Sequence, residues 1–234
     1  MNKLTKQFIL LQLNDALFPI GSYTQSYGLE TYVQQQRVAD KETLQTYLQS
    51  MLTNNLLYND FLLVKLAYFA AQKNSLEEVA QLDNIASAMK PAREIREAST
   101  KLGSRFIKTL QAMQVKNMSC QVYAGYCKLI ADKECLGHFA IIYGVLCAAL
   151  EIDYFSAISH YAYAQASAIV NNAVKLIPLS QSVGQRILYD IHHVIEDTLQ
   201  QLDLLTDADL GRSTPAFELR SMQHERLYSR LYMS

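Results

Sequence analysis

Glu134, Cys135 and His138 bring a carboxylate, a thiol and an imidazole to adjoining faces of a helix start, a donor set acceptable to nickel or zinc. A closed site needs a fourth donor and supporting hydrogen bonds, and the surrounding residues supply neither. Cys135 and His138 are thus the metal-ligand candidates, while the expectation for the chain alone is no bound metal and no cofactor. His192 and His193 are adjacent, so on a helix their side chains diverge by about 100° and do not chelate as an i, i+4 pair would. Other chemistries have no foothold. There is no G-x-x-x-x-G-K-[ST] to cradle a nucleotide triphosphate, no G-x-G-x-x-G, and no G-x-S-x-G elbow to expose a serine nucleophile. The chain reads as non-catalytic.

Three polar segments exceed what a plain helical bundle requires. In the first, Phe18 to Glu30, Pro19 and Gly21 force a turn and Ser22 can cap the next helix. In the second, Pro178 ends one helix and Ser180 starts another, with Gln181 and Gln185 stacked over its first turn beside Arg186. Such amides suit an interface or a wet passage. In the third, Met222 to Ser234, Arg-Leu-Tyr-Ser is followed by Arg-Leu-Tyr-Met. On a helix that four-residue period stacks Arg226 on Arg230, Leu227 on Leu231 and Tyr228 on Tyr232, an amphipathic hook that needs a surface to cover it. Met222, His224, Leu227, Tyr228, Arg230, Leu231 and Tyr232 are the partner-binding candidates, since Tyr and Arg commonly anchor interfaces. Tyr161 and Tyr163, separated by Ala162 and followed by Ala164 and Ala166, join Gln181, Gln185 and Arg186 as dimer or passage candidates.

These segments must be carried by a scaffold. The chain has 234 residues, 50% hydrophobic and 18% charged, enough for a sizeable core, and only 8 glycines and 4 prolines, too few for the turns of an all-β chain. A net charge of -1 creates no general field for nucleic acid or an anionic membrane. Four cysteines without a C-x-x-C pair, and no export signal after Lys3 and Lys6, indicate reduced thiols in the cytoplasm. The longest apolar run, Phe139 to Leu150, falls short of the ~20 residues of a membrane span and reads as a buried helix. Its stripe Gly137, Ala140, Gly144, Ala148 invites close helix approach. Start signals at Asp40, Ser75 with Glu78, Pro91 in a first turn, Asp153 and Ser180 predict an all-α fold of roughly eight to ten helices. Residues 1–203 form one helical domain, and the acidic, Gly-Pro-containing stretch that follows sets off 204–234 as linker and tail.

Taken in order, Leu17-Phe18-Pro19-Ile20-Gly21-Ser22-Tyr23 with Gln25 to Glu30, Arg93-Glu94 through Ser99 and Gly103, His138 with Gly144, Pro178 to Gln185, and His224-Glu225 to Arg230-Leu231 resemble the urease accessory proteins of the UreF type, most nearly their Helicobacter-type branch. The chain departs from many members in carrying Ser180 instead of Gly and Val183 instead of Asp. The resemblance implies an all-α homodimer that joins a UreD protein (UreH in Helicobacter) and recruits the GTPase UreG. Together these would load nickel into the carbamylated-lysine site of apo-urease, with nickel and GTP belonging to the partner complex. It also implies a tail ordered by the UreD/UreH partner and a water-filled passage for nickel. Two alternatives stay open: a regulator that stimulates the GTPase through Arg186 or Arg230, and a direct nickel metallochaperone using Cys135 and His138.

Overall fold

A helix that is apolar on every side has to be the centre of its bundle. In the computed structural model the helix Phe139–Ala149 occupies that place, with Phe139 through Cys147 all buried. Residues 1–115, 120–212 and 214–233 are described; Ser213 and Ser234, read above as part of the linker and of the tail, lie outside them. Among the described residues there are twelve α-helices and no strand: α1 (Lys3–Leu13), α2 (Leu29–Gln34), α3 (Lys41–Ser50), α4 (Leu62–Gln72), α5 (Leu76–Ala88), α6 (Arg93–Ala112), α7 (Gln121–Ala131), α8 (Phe139–Ala149), α9 (Tyr154–Leu176), α10 (Gln181–Asp190), α11 (His192–Leu204) and α12 (Pro215–His224). A π-helical segment, Met51–Phe61, joins α3 to α4 in one rod. The count exceeds the expected eight to ten because α2 has only six residues, too few to show a helical period, and α10 gives way to α11 at Ile191 without Pro or Gly.

Four start signals act as anticipated. Asp40, Ser75, Asp153 and Ser180 accept the N–H groups of Thr43, Glu78, Ser156 and Val183. Two differ. Pro91 precedes its helix, which begins at Arg93 with Ala92 as cap, and Ser22 opens only a single 3-10 turn behind Gly21. Ser180 has φ -75°, so glycine is not needed at that turn.

Close backbone contact sets the central packing. A Cβ on Gly144 would sit 2.5 Å from the Val64 carbonyl oxygen of α4, and a Cβ on Gly103 of α6 would collide with the Gly137 carbonyl. The loop before α8 wraps a buried carboxylate: Asp83 accepts from the Tyr126 hydroxyl and from the N–H groups of Leu136, Gly137 and His138, at 2.6 to 3.1 Å. Tyr161 is corrected by this core. Its ring lies 4.9 Å from that of Tyr143 and 5.8 Å from that of Phe139, and it is 2% exposed, so it cannot face a second subunit. Tyr163, about 200° further round α9, is the exposed one.

Because the α4–α8 crossing has no room for a side chain, Gly144→Ala should cost about 1–3 kcal/mol in urea denaturation. Gly125→Ala, whose Cβ would meet only the end of the Leu76 side chain, should cost far less.

Candidate functional site

Glu30 sits in the first turn of α2, where the helix dipole favours a negative charge, and its side chain is only 4% exposed. A carboxylate so buried must find donors. Its hydrogen-bond partners among the described residues come from the end of the chain. One oxygen accepts the Leu231 N–H at 2.7 Å; the other accepts the Tyr232 N–H at 3.1 Å and lies 3.2 Å from His224 Nε2. Glu94, in the first turn of α6, approaches the same imidazole from its other side, with Oε2 2.7 Å from Nδ1. The second Glu94 oxygen accepts from the Arg230 guanidinium at 2.7 Å. His224, the last residue of α12, is fully buried between the two carboxylates.

Further contacts seat the tail around this clasp. Arg93 donates to Glu225 at 2.9 Å, Gln34 Nε2 to the Ser229 carbonyl at 2.9 Å, and the Met233 N–H to the Thr24 carbonyl at 2.8 Å. The Tyr232 hydroxyl meets the Asn172 carbonyl of α9, while the Asn172 amide donates to the Gln25 carbonyl at 2.7 Å. Gly28, at φ 83°, is where α12 crosses the N-terminal turn: a Cβ there would lie 2.7 Å from Ser221 Oγ and 3.2 Å from the Ser221 nitrogen. The stretch leading to α12 is tied to the π segment by Gly211 N–H to the Tyr58 carbonyl and by Asn55 to Thr214, with the Arg212 guanidinium 4.6 Å over the Tyr58 ring.

The tail therefore differs from the amphipathic helix its sequence period suggested. α12 stops at His224, and turns and bends follow. A helix would have consumed the N–H groups that Leu231 and Tyr232 give to Glu30. Without helical geometry Tyr228 and Tyr232 part company, the first fully exposed and the second 6% exposed. These contacts seat the tail on the body of its own chain. Of the partner-binding candidates, His224 and Tyr232 are buried, Arg230 is paired with Glu94, and Leu227 is half-buried. Met222, Tyr228 and Leu231 stay exposed, joined by Leu219 and Met233.

The metal candidates are structural in their contacts. His138 is buried with Nε2 2.8 Å from Ser87 Oγ and Nδ1 3.1 Å from Ser99 Oγ, so neither nitrogen is free. Burial pushes its pKa down to about 4 against the opposing pull of Asp83, which keeps the ring neutral in neutral solution. Burial, then the Asp83 and Glu134 charges, push the Cys135 thiol up to about 11, away from the thiolate a metal would need. Among the described residues no group of three or more His, Cys, Asp and Glu side chains is placed to hold a metal ion.

Next to the seated tail lies a partly open cavity of about 80 Å³, lined mainly by apolar side chains such as Leu56, Ile95, Leu102 and Ile169, with Asn55, Asn59, Asp60, Lys90, Ser99 and Gln165 among them and Phe217 and Ser221 of α12 on its wall. A groove along α9, with Tyr163 and Gln181 in its lining, shares Tyr27, Phe139, Tyr161 and Gln165 with that cavity. Tyr161 is thus part of the partition between them. Gln185 points to solvent, and Arg186 is paired with Asp190 at 2.8 Å beside the Tyr189 ring.

Glu30 and Glu94 carry the site; both lie in segments that carry the family resemblance, yet neither is among the candidate site residues read from the sequence. An acidic residue in a first helical turn is ordinary, and nothing along the chain ties position 30 to position 224.

The molecule is thus an all-helical protein whose buried charges seat its own C-terminal tail, and among the described residues no helix is long and apolar enough to cross a membrane. The chain belongs to the UreF family: the family model UreF matches residues 38–192. It is 39% identical over 234 residues to the urease accessory protein UreF of Haemophilus influenzae (strain PittGG), covering 99% of this chain and 97% of that one. It is 38% identical over 226 residues to the protein of that name from Actinobacillus pleuropneumoniae serotype 5b (strain L20), covering 96% and 97% of the two chains. With the one from Bacillus sp. (strain TB-90) the identity is 35% over the full length of both.

Removing a buried acceptor leaves its donors unsatisfied. Glu30→Ala, which strips the Leu231 and Tyr232 N–H groups of their acceptor, should weaken tail seating by about 2–6 kcal/mol at 1–3 for each donor, seen as lost hydrogen-exchange protection at Leu231, Tyr232 and Met233 while the α8 amides stay protected.

Proposed function

We propose that this chain is a non-catalytic scaffold for urease maturation that grips a UreD/UreH-type protein through its seated tail. On this reading the resulting complex recruits the GTPase UreG and inserts nickel into apo-urease at the expense of GTP, with nickel and nucleotide held by the partners. The observation that carries the reading is the contrast within the tail: buried polar groups fix its backbone, while Met222, Tyr228, Leu231 and Met233 are left facing solvent. Pre-ordering such side chains lowers the entropy cost of association. The family membership supports a role beside other urease maturation proteins. The reading includes a cytoplasmic location, where the four free cysteines stay reduced, and a homodimer. It also assigns the cavity and the α9 groove, divided by Tyr161 and Gln165, to a wet passage through the assembly.

Point substitution is the informative test, because truncating the tail would strand the Glu30 carboxylate. The double variant Tyr228→Ala, Leu231→Ser should bind the UreD/UreH-type protein about 30-fold or more weakly by calorimetry, the loss typical of an anchor pair. Its helical circular dichroism should be unchanged. Wild-type affinity in that variant would remove the tail from the interface. For self-association, Tyr163→Glu on the exposed face of α9 should convert dimers to monomers by light scattering; an unchanged mass would reject that face.

A further inference from the structure

The two carboxylates of the clasp put opposite demands on one ring. Nδ1 of His224 faces Glu94 at 2.7 Å and Nε2 faces Glu30 at 3.2 Å, so with both carboxylates ionised both contacts are hydrogen bonds only if both nitrogens carry hydrogen. We propose that His224 is a proton-dependent pin for the C-terminal tail: the tail is seated on the imidazolium form and is released as the ring loses a proton.

The charges that face the ring come from three directions. α2 contributes Glu30, α6 contributes Glu94, and the tail itself contributes Arg230, whose guanidinium is on Glu94. One step out, Arg93 of α6 and Glu225 of the tail are turned to each other, and α9 offers only the uncharged Asn172, through Tyr232. With the imidazolium in place, two negative charges meet two positive ones, and the ring's contacts are charge-assisted. A neutral ring leaves a lone pair against a carboxylate oxygen and a buried cluster with surplus negative charge. Water relieves that strain only if the tail lifts. Lysine or arginine in the same place would hold its charge; histidine is the side chain able to give it up.

Lifting would free the backbone that displays Tyr228 and Leu231, while the start of α12 stays held by Phe217 against Tyr32 and Tyr47 and by Asn55 on Thr214. A single proton would then govern the adhesive strip. The device lies within one chain, so its failure is separable from failure of the partner reading.

The test uses the full-length, isotope-labelled chain without partners. As pH rises from mildly acidic to mildly alkaline, the His224 ring signals and the Leu231, Tyr232 and Met233 amides should change together. After correction for intrinsic exchange rates, tail protection should fall by up to about tenfold per pH unit, the limit for one linked proton, while α8 amides hold. His224→Gln should abolish the pH dependence. Glu94→Gln, whose amide can donate to a neutral ring, should keep the tail seated on the alkaline side. Tail amides that stay protected while the wild-type ring titrates would overturn the proposal. So would a His224→Gln chain that loses its tail over the same pH range. Should that variant never seat the tail, the wild type and Glu94→Gln decide the matter.

Discussion

A carboxylate taken out of water has to be met by donors, and the Glu30 side chain is met almost entirely by the last residues of its own chain. Two backbone N–H groups and one imidazole converge on it from 194 to 202 positions away. That requirement dictates where α12 ends, why the following residues leave the helix, and which tail side chains face outward. Leu231 and Tyr232 are adjacent, so fixing both N–H groups on one carboxylate sends their side chains apart, one outward and one into the body.

The rest of the fold delivers the two carboxylates to the same place. Glu30 is brought by the turn through Gly21 and Gly28, both at positive φ, and the missing side chain of Gly28 lets α12 pass. Glu94 arrives because α6 is pressed onto the loop before α8 at Gly103, a loop held in turn by Asp83. α9 closes the third side through Asn172. Buried ion clusters add little net stability compared with apolar packing, but they are costly to misassemble. Here that cost selects one register for the tail and one exposed strip.

Much of the helical framework was readable along the chain. Asp40, Ser75, Asp153 and Ser180 act within three residues of themselves, and the apolar run from Phe139 marks its own burial. The misreadings have a common origin. Tyr161 and Tyr163 share a helix and a residue type, and only the packing of α9 on Phe139 and Tyr143 separates a core ring from a surface ring. Cys135 and His138 have the chemistry of ligands, but the serines that occupy the imidazole lie 51 and 39 residues away. The period of the tail was real, yet a short helix there is worth less than the hydrogen bonds its backbone makes to Glu30.

Composition and local spacing alone determined that this chain is helical, where most helices start, that its central helix is buried, and that its end carries aromatic and basic side chains in need of a surface. Those properties depend on neighbours within a turn or two. Which surface the tail takes, which of its residues stay free, and the joining of Glu30, Glu94 and His224 into one cluster were decided only in three dimensions. Charge pairing in a buried site is set by distance in space, and sequence separation carries no record of it.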